Sequence, residues 1–216
     1  MIFRGGTWAV VIACFVHESL GGNNVDSSST GDQPEKTEWE YSFSTSTYLL
    51  PHGRDFANPN LTADRDWLHL EARYNYEAQK TGSLWLGYNF SFGEKLVVEA
   101  TPMLGGVFGD ITGIAPGYVL SVSYKGIELF TQGEYFIDAA RRDGKFFYTW
   151  TEISATPVEW LRLGVVIDRT KAFGSDFDIR RGPFIGFNYR KVDFTTYWLS
   201  PGSTNSAIVF SITVNI

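Results

Sequence analysis

The chain has 216 residues, 44% hydrophobic and 16% aromatic, with a net charge of -6. That length holds one large all-β domain or two small ones. The acidic balance argues against a nucleic-acid partner, which would favour a basic patch, and the single cysteine, Cys14, excludes an internal disulfide or a thiolate metal site.

Residues 1–22 read as a secretory signal. Arg4 supplies the positive start, and an apolar run from Thr7 to Val16 follows, far shorter than the roughly 20 residues of a spanning helix. Ser19-Leu20-Gly21-Gly22 is the candidate cleavage region. Val11-Ile12-Ala13-Cys14 also has the form of a bacterial lipoprotein box, with a very short n-region and apolar Phe15 and Val16 standing against it. Residues 23–37 are polar and rich in Ser, Gly and Asp, a flexible lead-in.

From residue 38 to the end, large apolar residues alternate with small or polar ones. Leu68, Leu70, Ala72, Tyr74 and Tyr76 interleave with His69, Glu71, Arg73 and Asn75; Ile208, Phe210, Ile212, Val214 and Ile216 close the chain in the same way. A period of two puts one set on each face of a strand. Strands are expected over 39–50, 56–63, 67–77, 83–91, 95–108, 113–124, 127–138, 146–156, 160–170, 180–189, 192–199 and 206–216. That is about twelve, an even number, as closed bacterial barrels require; ten is the alternative count. Connections alternate between short (Gly93-Glu94, Lys125-Gly126, Pro157-Val158-Glu159, Arg190-Lys191) and longer (78–82, 109–112, 139–145, 171–179, 200–205). An all-β, up-and-down antiparallel barrel in an outer membrane has this asymmetry, with the short rim, both termini and the lead-in on the periplasmic side.

The residues also give the faces a direction. Lys80, Lys125, Lys145, Lys171 and Lys191 fall in connections. The polar face combines small residues (Gly87, Asn89, Gly164, Gly186, Asn188) with Glu71, Arg73, Glu99, Glu128, Glu134, Glu152 and Arg162, which suits an enclosed lumen where opposite charges pair. The apolar face of several strands carries no charge, and one Arg or Lys there would cost about 2–4 kcal/mol at the bilayer midplane. Tyr74, Tyr76, Phe90, Tyr124, Tyr189 and Trp198 gather near strand ends as an interfacial girdle.

The run Trp67-Leu68-His69-Leu70-Glu71-Ala72-Arg73-Tyr74-Asn75-Tyr76-Glu77, the run Gly82-Ser83-Leu84-Trp85-Leu86-Gly87-Tyr88-Asn89-Phe90 and the run Pro102-Met103-Leu104-Gly105-Gly106-Val107-Phe108-Gly109 resemble an uncharacterised group of Gram-negative outer-membrane β-barrel proteins. The resemblance spans residues 38–216. It implies a fold and a location and hands over no catalytic residue. Two features depart from such barrels: the chain ends in Ile216 in place of an aromatic residue, and Pro102 and Pro183 fall within expected strands, where they need bulges or strand ends.

The expected function is a narrow passive pore for small solutes, monomeric, in contact with the bilayer and lipopolysaccharide. Its lumen or constriction is drawn from Glu71, Arg73, Glu99, Glu128, Glu134, Glu152 and Arg162. The alternatives are a structural or adhesive barrel with a plugged lumen, and an outer-rim hydrolase built on His69 with Glu71. The chain is not expected to be an enzyme, since no nucleophile motif accompanies that pair. No cofactor or metal is expected: His17, His52 and His69 are scattered. The glycines at 105, 106, 109 and 113 read as a loop, with no helix after them to bind phosphate. Arg141-Arg142 is a candidate lipopolysaccharide contact, and Asp176 with Asp178 a weak calcium candidate.

Overall fold

The computed structural model describes residues 38–51, 53–141, 144–172 and 178–216. The signal, the lipoprotein box, the lead-in, His17, His52, Arg142 and Asp176 lie outside the described residues. Thirteen strand segments make up the fold, and no helix occurs among the described residues. In chain order they are β1 (Glu40–Leu49), β2 (Phe56–Arg65), β3 (Leu68–Tyr74), β4 (Thr81–Tyr88), β5 (Phe90–Phe92), β6 (Val97–Gly109), β7 (Gly113–Tyr124), β8 (Ile127–Asp138), β9 (Lys145–Val158), β10 (Leu161–Ala172), β11 (Asp178–Tyr189), β12 (Val192–Leu199) and β13 (Ala207–Asn215).

Apart from β4 and β5, which do not pair with each other, each strand pairs antiparallel with its sequence neighbours, and β1 pairs with β13 to close the ring. β4 and β5 are one stave: both pair with β6, and the register runs on unshifted, Gly87 facing Met103 and Phe90 facing Ala100. The ring therefore has twelve staves and no free edge. The weak second segment is a full strand between β1 and β3, so the even count holds.

The prolines explain the interruptions. Pro102 faces Tyr88 across the break between β4 and β5 and has no N–H to give there. Pro116 lies in a gap of the β7–β8 ladder, between the pairs Ile114–Ile137 and Gly117–Glu134. Pro183 lies just beyond the last β11–β12 pair, Phe184–Tyr197, and Pro59 just beyond the last β2–β3 pair, Asn60–Arg73. The ladders accommodate proline by leaving out one or two pairings, at a strand break (Pro102), in a gap (Pro116) or at a ladder end (Pro59 and Pro183), with the register unshifted across the break and the gap.

Tight turns define one rim. Lys125 and Gly126 both have positive φ (48° and 76°), the backbone a two-residue hairpin with the right twist requires. Asp66 and Arg190 take the same left-handed conformation in turns on that rim. The longer connections form the other rim.

The outer wall is apolar. Leu84, Leu86 and Leu104 are 61%, 58% and 56% exposed, and Tyr74, Phe90, Tyr124, Tyr189 and Trp198 are exposed near strand ends. A closed ladder with this surface satisfies its backbone internally and presents hydrocarbon to lipid. The barrel is membrane-embedded.

The inner face corrects the sequence reading in one respect. Besides small polar residues it carries Tyr48, Trp85, Phe130, Phe136, Phe146, Tyr148, Trp150, Phe184 and Tyr197, all buried. Each of the twelve staves places at least one buried side chain inward, from Ser46 on β1 to Val209 on β13. Eight-stranded interiors are filled by ordinary side chains; a twelve-stranded one is wider, and large aromatic rings occupy part of it. Tyr76 and Glu77 are also relocated. β3 ends at Tyr74, Asn75 turns with φ of 56°, and both residues fold into the barrel mouth. Tyr76 is therefore no part of the girdle.

Candidate functional site

Alternation places Glu71 and Arg73 inward on β3, two residues apart on one face. Arg73 Nε and Nη2 donate to the two carboxylate oxygens of Glu71, both at 2.7 Å. Its Nη1 reaches across the lumen to Glu134 Oε2 on β8 at 3.1 Å. The guanidinium carbon lies 4.2 Å from the ring centre of Tyr76 and 4.2 Å from that of Trp85, so the cation is held between two aromatic faces. Asn60 Nδ2 donates to Glu71 Oε1, and Gln132 Nε2 to the Tyr76 hydroxyl at 2.7 Å.

Trp85 explains one of the glycines read as a loop, Gly105. Gly105 and Gly106 belong to β6, and a Cβ on Gly105 would come within 2.5 Å of the Trp85 indole. Gly117 on β7 underlies the same ring, at 2.9 Å. Alanine at position 105 would force Trp85 off the Arg73 guanidinium.

A second cluster lies on the opposite wall. Glu152 Oε1 accepts from Trp150 Nε1 at 2.8 Å and from the Tyr197 hydroxyl at 2.9 Å, and Glu152 Oε2 accepts from Arg162 Nη1 at 2.9 Å. Trp150 meets Tyr197 edge-on at 5.2 Å. Glu99 and Glu128 are half-buried toward the tight-turn rim, where Ser121 Oγ donates to Glu128 at 2.9 Å. Of the seven candidates the structure thus brings together Glu71, Arg73 and Glu134, and Glu152 with Arg162, and places Glu99 and Glu128 nearer the tight-turn rim.

Some inward groups escaped the sequence reading. Arg180 pairs with Asp168 through Nε at 2.9 Å near the long-loop rim. His69 Nδ1 lies 2.7 Å from Asp64 Oδ1, and His69 Nε2 3.5 Å from Glu71 Oε2. His69 is the second residue of β3 after a tight turn, at the end of the barrel away from the long loops. The His69–Glu71 pair considered for an outer-rim hydrolase therefore lies toward the tight-turn rim and not among the long loops. Arg141 is exposed in the β8–β9 loop, and its N–H donates to Asp138 Oδ1 at 2.9 Å. Asp178 begins β11 and accepts from Asn205 Nδ2 at 3.4 Å. No cluster able to hold a metal ion occurs among the described residues.

Glu77, in the β3–β4 loop, accepts from Ser83 Oγ and is fully enclosed. Burial pushes its carboxyl above the ordinary glutamate value of 4.5, against the pull of Arg73. The folded chain then binds this proton more tightly than the unfolded one, so stability is lost as pH rises from 4.5 through the raised value. Glu77→Gln is expected to flatten that slope in urea midpoints measured against pH. An unchanged slope would assign it to another group.

Several inward polar atoms have no protein hydrogen-bond partner while buried: Ser44 Oγ, Asn60 Oδ1, Glu77 Oε2, Glu134 Oε1 and Asp168 Oδ1. A small cavity beside Arg73, Tyr76, Gln132, Glu134 and Tyr148 has room for about one water.

No protein-family model matches the chain, and no curated protein sequence does. Solved structures do. KdgM porin is similar with a TM-score of 0.55 and 10% identity over 80% of this chain and 98% of its own. KdgM porin in complex with disordered oligogalacturonate gives 0.54 and 10% over the same shares. Pseudomonas aeruginosa OccK10 (OpdN) gives 0.43 and 10% over 82% of this chain and 69% of its own. At that identity the KdgM likeness speaks for the fold, and together with the closed apolar-walled ring it makes the chain a twelve-stranded outer-membrane β-barrel.

Proposed function

We propose that the chain is a monomeric, porin-like barrel that passes water and small solutes along the polar side of its lumen. The Glu71–Arg73–Glu134 and Glu152–Arg162 clusters form its narrowest level. The observation that carries this reading is the set of buried inward polar atoms without protein partners. Leaving each unsatisfied costs about 1–3 kcal/mol, so such atoms are ordinarily met by water. A lumen lined by them at several heights is a hydrated one.

The charge balance narrows the solute class. Inward carboxylates at Asp64, Glu71, Glu99, Glu128, Glu134, Glu152, Asp168 and Asp193 outnumber the guanidiniums of Arg73, Arg162 and Arg180. This favours small cations and neutral solutes over a polyanion such as the oligogalacturonate bound to KdgM porin. In planar bilayers the folded chain should give discrete steps, small beside those of sixteen- to eighteen-stranded porins. A potassium chloride gradient should show cation preference, reduced by Glu128→Gln. Absence of any step, with no solute entry into liposomes, sinks the pore. It would favour the second reading, a static barrel plugged by its aromatic cluster, which rests on the buried inward rings.

A further inference from the structure

The outer wall carries charge where the apolar band stops, on one side of the barrel. On β10 the outward residues run Leu161, Leu163, Val165 and Ile167, then Arg169 and Lys171. On β11 they run Tyr189, Phe187, Ile185 and Pro183, then Arg181. Arg169, Lys171 and Arg181 are all exposed. Register places them together. Arg169 faces Ile179, so Arg181 is its diagonal neighbour across the ladder, about 7–8 Å away. Lys171 follows Arg169 on the same face at about 6.6 Å. Arg169 stands about 20 Å above Leu161 for a strand tilted near 40°, close to the top of an apolar band about 25 Å tall. Lys145, at the start of β9, is outward by the same alternation. Among the described residues no Asp or Glu faces outward on β8 to β12, because Asp168, Asp178, Glu134, Glu152 and Asp193 all alternate inward.

We infer that this row of cations is a binding site for the phosphate groups of an anionic outer-leaflet lipid, seated against β10 and β11. Arg169 lies about 7 Å from each of the other two, and Lys171 about 14 Å from Arg181, which faces Ile167. Long side chains on such a row can reach the phosphates of one lipid headgroup, and guanidinium groups bind them with paired N–H donors. The exposed Ile179, Phe147 and Val165 beside and below them offer apolar surface to acyl chains. A freely diffusing anion would need only the charges. A lipid phosphate also needs them at the edge of the hydrocarbon band, which is where they are. The site depends on the orientation of the barrel in the membrane and not on whether its lumen conducts.

The test uses the folded barrel in detergent, with diphosphoryl lipid A, its dephosphorylated form and inorganic phosphate as probes. The expected result is binding of the phosphorylated lipid alone, undisturbed by excess inorganic phosphate. Arg169→Gln/Lys171→Gln/Arg181→Gln should weaken it roughly a hundredfold, from three charges acting near an anionic lipid surface. Arg65→Gln, on the outer wall near the opposite rim, should leave it unchanged. Heat-dependent gel mobility verifies that each variant is folded. If the triple variant fails to fold, Arg169→Gln alone should still weaken binding severalfold. Equal affinity in the folded triple variant overturns the site, or in Arg169→Gln where the triple variant does not fold. So does displacement by inorganic phosphate, which would mark a free-anion site, and so does an equal loss in Arg65→Gln, which would mark unspecific attraction.

Discussion

Replacing Arg73 with methionine will destabilise the folded barrel by about 3–5 kcal/mol, the range for removing one partner of a buried ion pair. Two carboxylates depend on this guanidinium. Glu71 takes both of its paired bonds, and Glu134 takes a third from across the lumen. Without Arg73 both anions are left buried, with Glu134 Oε1 already lacking a protein partner. The two rings that enclose the cation, Tyr76 and Trp85, also lose their contact with it. The measurement is the urea midpoint of folding into detergent or lipid vesicles. Arg73→Lys should recover only part of the loss, because an ammonium cannot make the paired contact with Glu71. Adding Glu71→Gln and Glu134→Gln to Arg73→Met should recover most of it, since neutralising all members removes the uncompensated charge. An Arg73→Met midpoint equal to that of the native chain would mean that water already screens the cluster, and the enclosed cation would have to be abandoned.

Much of this was legible before any coordinates. The strands over 113–124, 127–138 and 192–199 match β7, β8 and β12 to the residue. They do so because alternation is bounded there by turns such as Lys125-Gly126. The direction of the faces followed from where lysines and glutamates fell. The large rings inside the lumen did not follow, although a signal for them was present. Trp150 precedes Glu152 by two and Trp85 precedes Gly87 by two, so each shares the face of a residue already placed inward. By hydrophobicity alone both indoles belong to the lipid side, and only their phase along the strand assigns them inward. The Arg73–Glu134 contact was out of reach, since the partners are 61 residues apart and meet only because β3 and β8 curve toward each other across the ring. Tyr76 was misplaced because periodicity continued past Tyr74, whereas the backbone turns at Asn75. Proline within a strand is visible in the sequence as a problem. Its solution, one or two missing pairings, depends on register that periodicity does not specify.

Trimming Trp150 to alanine should open the lumen and cost about 3–5 kcal/mol, the usual toll for truncating a large buried aromatic. Trp150 is fully buried and projects from β9 toward Tyr197 on β12, bridging part of the interior that twelve strands enclose. Its N–H is one of three donors to Glu152, so the carboxylate keeps Tyr197 and Arg162 after the change. The loss is then mainly packing, and water entering the widened lumen should hold it toward the lower end of the range. Conductance should move the other way, with single-channel steps severalfold larger and liposomes admitting larger neutral sugars. Trp150→Phe separates the two contributions: it keeps a ring in the lumen and removes the donor, so stability should fall modestly while steps stay small. Leu84→Ala, on the lipid-facing wall, should leave conductance alone. Steps unchanged in Trp150→Ala, despite lower stability, would show that the indole is not what narrows the path. The obstruction would then lie at the Arg73 cluster on the other wall, where the same comparison with Trp85→Ala would locate it.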